Sequence, residues 1–210
     1  MKHSNFLNLS KSIQYSTLGG TEAHYKMRPD TRKEPFIDSA TVKQSKKAAV
    51  LALFYPNAAG ETCMALTLRP TYKGTHSAQV SFPGGKHEKN DGHLSGTALR
   101  ETFEEIGIPQ SEIQLLREIT DVYIPPSNFL VTPFIGILKN TPKFRQNYEV
   151  EKIIEVTLTE LLDDSLRFIK SEDSFHTKKG SIPYYNFGNH MIWGATAMII
   201  SEIKELLKRL

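Results

Sequence analysis

The chain has 210 residues, enough for one compact domain with a real core and short of what two ordinary domains need. With 39% hydrophobic and 23% charged residues and a mean hydropathy of -0.35, its composition excludes a disordered or membrane-embedded chain. The 26 Lys and Arg against 23 Asp and Glu leave a net charge of only +3, so nucleic acid is not an expected partner.

Residues 1–45 are polar, with a short amphipathic segment (Phe6, Leu7, Ile13), the pair Gly19-Gly20, and Pro29 and Pro35 to break any longer helix. They read as an arm packed on a domain formed by residues 46–210. Met1 to Ser10 has no continuous apolar stretch, so no cleaved secretion signal is expected. Ala48 to Tyr55 is the longest apolar run, a buried strand far too short to cross a bilayer. Pro56 to Gly60 is a turn, and Cys63 to Arg69 returns as the second strand of a hairpin. The single cysteine, Cys63, reads as a buried thiol and fits a cytoplasmic location. Val80 to Phe82 is extended and ends at Pro83-Gly84-Gly85.

The period changes to helical from Leu94 to Ile106, with Leu99, Phe103 and Ile106 on the expected inner face. Asp91 or Ser95 is the expected cap, and Gly107 with Pro109 is a stop signal. Strands follow at Ile113–Tyr123, Val131–Leu138 and near Ile153–Leu158, then a short helix at Thr159–Asp164. Tyr184-Tyr185 and His190–Trp193 read as extended, and Gly194–Arg209 as an amphipathic closing helix that Trp193 anchors to the core. The class is α/β, with a mixed sheet layered between helices.

The chemistry is concentrated in Arg100-Glu101-Thr102-Phe103-Glu104-Glu105-Ile106-Gly107. Residues three and four apart on a helix are neighbours, so Glu101, Glu104 and Glu105 share one face. Carboxylates so placed repel one another and raise each other's pKa unless a cation sits among them. Hard oxygen donors of this kind suit Mg²⁺ or Mn²⁺. Taken alone, the same run is an ordinary solvated acidic face balanced by Arg100.

Together with Gly85, these residues resemble the signature of the Nudix hydrolase family. Gly85 matches the opening glycine, and Arg100, Glu101, Glu104, Glu105, Gly107 and Ile108 match the closing half, with Phe82-Pro83-Gly84-Gly85 as lead-in. Asp91 stands at the early acidic position with eight residues instead of seven before Arg100, and Thr102 replaces an apolar residue. The resemblance implies an α/β/α sandwich and hydrolysis of a nucleoside diphosphate linked to another moiety. It also implies Glu105 and Glu101 as main metal ligands with Glu104 assisting, Gly85 or Gly84 lending a backbone carbonyl, and Arg100 orienting the glutamates. A further carboxylate from a later loop is expected at Glu149, with Glu151 as a close substitute.

A second set of blocks resembles the coenzyme A pyrophosphatase branch. It comprises Leu66–Arg69, Gln79–Lys86, Ser127–Phe134, Glu149-Val150 and Ile192–Ala197, along with the Gly20–Pro29 arm. The implied reaction cleaves coenzyme A or its thioesters to 3′,5′-ADP and a phosphopantetheine derivative. The branch usually has Arg where Gly74 stands and Gly where Ala78 stands, so Arg69, Lys73 or Lys86 would have to meet the 3′-phosphate. Phe129 and Tyr123 are candidates to stack on an adenine, and His76 reads as solvated or structural. The expected partner is thus a coenzyme A-like nucleotide, with no nucleic acid or membrane and with a homodimer left open. The rivals are a broader hydrolase of ADP-ribose, NADH or dinucleoside polyphosphates, and a nucleotide sensor without turnover.

Overall fold

The computed structural model describes residues 1–30, 43–71, 79–172 and 180–210. Its organising element is β1 (Lys46–Pro56). Side chains alternate across a strand. In β1, Ala52 and Phe54 enter one core cluster, whereas Ala49, Leu51, Leu53 and Tyr55 enter another on the opposite face. Burial on both faces explains why the run is continuously apolar rather than alternating.

Strand β1 is paired on both edges. On one side lies β7 (Phe129–Ile137), parallel from Lys46↔Phe129 to Phe54↔Ile137. The other edge is shared by β4 (Gly84–Lys86), antiparallel at Ala48–Val50, and β2 (Thr62–Leu68), antiparallel at Phe54–Pro56. Strand β2 also pairs with β3 (Val80–Ser81) and β8 (Lys152–Thr157). Strand β7 carries β5 (Gln114–Glu118) and β6 (Val122–Ile124). A second sheet has the order β11–β10–β9, from β9 (Arg167–Glu172), β10 (Gly180–Phe187) and β11 (His190–Trp193).

Three short helices, α1 (His3–Asn8), α2 (Ser10–Tyr15) and α3 (Gly20–Tyr25), open the chain. Helix α4 (Leu94–Ile106) covers one face of the main sheet, α5 (Leu158–Leu162) is a short connector, and α6 (Gly194–Lys208) covers the other face. The class is the expected mixed sheet between helices. Phe6, Ile13 and Met27 of the opening segment are fully buried in the α6-side core. No helix of the described residues is long and apolar enough to cross a membrane.

Several expectations need correction. Ile106 is buried and Leu99 packs against the core as expected, but Phe103 is 51% exposed; the buried residues of α4 are Thr97, Ala98, Thr102, Glu105 and Ile106, a face rotated away from Phe103. Thr102 tolerates burial because its hydroxyl donates to Ala98 O at 2.7 Å. The N-cap of α4 is His93, without a side-chain cap; Asp91 instead closes a capping box with Glu88 around the preceding short turn. The stretch Ile113–Tyr123 is two strands, broken between Glu118 and Val122. Gly84 continues the sheet as part of β4. A Cβ there would come 2.4 Å from Ala49 O, so only glycine brings this strand so close to β1. Trp193 is 41% exposed, so it does not serve as a buried anchor for α6. Pro35 lies outside the described residues.

One buried carboxylate ties three segments together. Glu202 on α6 is fully buried and accepts from Gly20 N (2.8 Å), Thr120 N (3.2 Å) and Thr120 Oγ1 (2.6 Å), and pairs with His24 Nε2 (3.1 Å). Burial pushes its pKa up, but these donors hold it below the usual carboxylate value. Glu202→Gln should cost about 2–4 kcal/mol at neutral pH in chemical denaturation, because an amide cannot accept from all these donors. A carboxylate whose folded pKa is depressed stabilises above its unfolded value near 4.5 and loses that contribution as pH falls through the folded one. The wild-type advantage over the variant should therefore shrink below about pH 4.5.

Candidate active site

The site is built where α4 crosses β4. Glu105, 3% exposed, accepts the Gly84 N–H through Oε2 at 3.1 Å, and its Oε1 lies 3.9 Å from Arg69 Nη2. Burial raises its pKa to about 7; Gly84 N–H and Arg69 oppose this, while Glu101 and Glu149 add to it. Glu101 lies against Gly85, where a Cβ would come 2.4 Å from its carboxylate. Its pKa is also raised, first by burial and then by Glu104 and Glu149, against the pull of Arg100. Glu104 is half exposed and turned outward to Arg100 Nη1 at 3.0 Å. The three glutamates are thus graded from buried to exposed across the helix rather than equivalent.

Arg100 is the fastener. Its Nε donates to Asp91 Oδ1 at 2.6 Å, and its Nη2 donates to Asp91 Oδ2 and to Lys86 O, each at 3.1 Å, while facing Glu101 Oε1 at 3.1 Å. The Asp91 side chain is almost fully buried and also accepts from Thr97 Oγ1 and Glu88 N, both at 2.8 Å. The Arg100 hydrogen bonds hold the Asp91 carboxyl well below the usual range. A planar guanidinium reaches all these acceptors at once, which an ammonium cannot do. The departure at Asp91 is therefore an anchor for Arg100.

Glu149 is exposed on the loop after β7, near enough for its charge to act on both Glu101 and Glu105. That loop is bolted to the end of α4 by Arg145 N→Ile106 O (2.9 Å) and Asn147 N→Glu105 O (3.0 Å), with Glu149 N donating to Asn147 Oδ1 at 2.8 Å. Sequence reasoning missed Asn147; an Asn two residues before an acidic one is a signal for such a turn. The Glu151 backbone N–H donates to Leu68 O at 2.8 Å, just before β8.

Beside Gly84 and Gly85 opens a cavity of about 770 Å³, lined among others by Arg69, Lys86 and Phe129. Three of the four expected substrate-binding residues are therefore together, while Lys73 lies outside the described residues, as do Gly74, His76 and Ala78. Lys46 Nζ sits 5.6 Å from the Phe129 ring centroid. Tyr123 is not among the lining residues, and its hydroxyl donates to Asn128 Oδ1 at 3.1 Å. Trp193 is part of the lining, a role the sequence did not suggest. The buried Cys63 behaves as expected, its thiol pushed up to about 11 by burial.

Two outcomes follow for protein stripped of divalent ions by a chelator. A carboxylate with a raised folded pKa binds more protons folded than unfolded, so its contribution falls as pH rises from about 4.5 to about 7. Thermal denaturation across pH 5–8 should show a slope that Glu105→Gln flattens, the effect being on the order of 3 kcal/mol. Asp91→Ala should cost about 2–4 kcal/mol in denaturant melts, because it leaves the Arg100 guanidinium without its main partner.

Comparison with known proteins places the chain in a family. The NUDIX domain model matches residues 45–176, which include Gly84–Gly85, α4 and Glu149. A protein named as an uncharacterized Nudix hydrolase NudL from Photorhabdus laumondii is 34% identical over 142 residues, covering 67% of this chain and 74% of its own. Nudix hydrolase 15, mitochondrial, of Arabidopsis thaliana is 34% identical over 163 residues, covering 74% of this chain and 56% of that protein. Among solved structures, the fold is similar to the Nudix hydrolase RenU from M. smegmatis, with a TM-score of 0.55 at 15% identity over 79% of this chain and 88% of that one. A MutT/nudix family protein from Enterococcus faecalis gives a TM-score of 0.51 at 14% identity, covering 99% and 75%. With the signature on α4 and β4 inside the matched span, the chain belongs to the Nudix hydrolase family.

Proposed function

We propose that this hydrolase cleaves the diphosphate of coenzyme A or its thioesters, giving 3′,5′-ADP and a phosphopantetheine derivative, with Mg²⁺ or Mn²⁺ as cofactor. The observation that carries the reading is convergence. Arg69, the Gln79–Lys86 block, Ser127 and Phe129, and Trp193–Thr196 are far apart in sequence. All contribute to the lining of the one cavity beside Gly85, and they come from the blocks that resemble the coenzyme A pyrophosphatases.

The donor set fits a hard divalent cation. Glu149 raises the proton affinity of both Glu101 and Glu105, and Glu101 adds to that of Glu105, as carboxylates do when no cation is among them, while Gly85 leaves room for the Glu101 carboxylate. Among the described residues, no three His, Cys, Asp or Glu side chains converge on one point. Glu101 and Glu105 would hold the ion, with Glu104 and Glu149 completing the acidic rim and Gly85 offering its carbonyl. When bound, such an ion neutralises diphosphate oxygens and activates water. Arg100 keeps Glu101 and Glu104 aimed, Asp91 keeps Arg100 in place, and Arg69 and Lys86 supply positive charge for phosphate oxygens at the cavity.

The rival substrate is ADP-ribose or a related nucleotide, which Gly74 in place of the usual arginine favours. An assay with coenzyme A, ADP-ribose, NADH and a dinucleoside polyphosphate decides between them, read by chromatography of the products. Coenzyme A should be the preferred substrate and yield 3′,5′-ADP; preferential consumption of ADP-ribose would move the chain to the broader class. Glu105→Gln should lower kcat by at least about 100-fold by removing a charged donor. Gly85→Ala should have a comparable effect, since its methyl displaces the Glu101 carboxylate. Full activity in either variant would contradict the assignment of these groups.

A further inference from the structure

The cavity is larger and less polar than a diphosphate requires. Among the described residues its charged lining side chains are Arg69 and Lys86, with Lys86 on β4 next to Gly84–Gly85. Much of the remaining surface comes from Ile124, Pro125, Pro126, Phe129, Trp193 and Ala195. Ser81, Ser127 and Thr196 add hydroxyls and Gln79 an amide, but the Thr196 hydroxyl is already donated to Val80 O at 3.1 Å and the Ser81 hydroxyl lies 3.3 Å from Thr67 Oγ1. A hydroxylated sugar set against Ile124, Pro125, Pro126, Trp193 and Ala195 would lose water and meet no polar side chain among them, whereas an aliphatic group would gain from burial.

Trp193 stands out within the wall. It is the chain's only tryptophan, it is 41% exposed, and it is held by pairing with Tyr184 at the point where β11 enters α6. Along with Pro29 and Ala195, it lies outside the span that matches the family domain, residues 45–176. The cavity is therefore completed by segments beyond the domain that the family model describes.

We infer that this wall is a subsite for an aliphatic group esterified to the substrate diphosphate, and that Trp193 sets the preference for such a group over a hydroxylated sugar. This deepens the proposed function, because the phosphopantetheine half of coenzyme A carries a branched, dimethylated carbon next to its phosphoester. It does not require coenzyme A itself, since any nucleoside diphosphate with a compact aliphatic ester satisfies the same wall.

The test uses two probes that share the ADP half, its neopentyl ester and ADP-ribose, with the full chain. In the slow Glu105→Gln variant, the neopentyl ester should bind roughly tenfold more tightly than ADP-ribose and shift the Trp193 emission to the blue as its indole loses water. Trp193→Ser should bring the ratio of the two affinities close to one, and Trp193→Phe should keep most of it. Equal affinities, an emission unmoved by the ester, or an undiminished preference in Trp193→Ser would each overturn the inference. The emission arm needs no variant at Trp193, so misfolding of those variants does not protect the inference. If coenzyme A is not cleaved but the ester preference holds, the coenzyme A reading falls and the subsite stands.

Discussion

The site depends on burying one carboxylate between a helix and a glycine strand. Glu105 is nearly inaccessible to water, yet it meets a single backbone N–H from Gly84 and an arginine at the margin of contact. A charged group so placed is under-compensated, and its pKa rises to about 7 in consequence. An adjacent divalent ion would reverse that penalty. The fold therefore carries an electrostatic debt at the position where the proposed reaction needs positive charge.

Holding that arrangement requires rigid neighbours. Strand β4 is drawn against β1 because Gly84 has no side chain to strike Ala49 O. Helix α4 is fastened to the turn beyond β4 by Arg100 with Asp91 and Lys86 O. The Glu149 loop is fastened to the end of α4 through the carbonyls of Glu105 and Ile106. A similar logic operates on the opposite face of the sheet, where the buried Glu202 gathers α3, Thr120 and α6. There, however, the donors outweigh burial and the carboxyl is held in its charged form. Two buried glutamates thus have opposite protonation tendencies, set by how many donors each meets.

The sequence made the glutamate helix legible, including its limits Leu94–Ile106, because Gly107 supplies a left-handed stop with φ of 76°. It also made β1 and its hairpin legible, since a run apolar on both faces leaves few alternatives. It did not show the rotation of α4. Hydrophobicity alone favoured Phe103 for the interior, whereas packing buried the smaller Ala98 and Thr102 together with Glu105. Asp91 looked like a spacing defect because its role lies in a three-dimensional contact nine residues along the chain. Trp193 looked like an anchor because aromatic residues usually are; its exposure and its place in the cavity lining show otherwise. Local periodicity does not carry such information about which segments meet across the sheet.

Under the proposed function Glu101 and Glu105 hold a hard cation, with Glu149 adding negative charge at the rim. Electron paramagnetic resonance of free Mn²⁺, titrated with metal-free protein at pH 7.5 without substrate, tests it most directly. The account predicts that wild-type protein removes Mn²⁺ from solution, that Glu101→Gln weakens this by at least about tenfold, and that Glu149→Gln weakens it by less. Mn²⁺ binding that is absent in the wild type, or unchanged in Glu101→Gln, would contradict it.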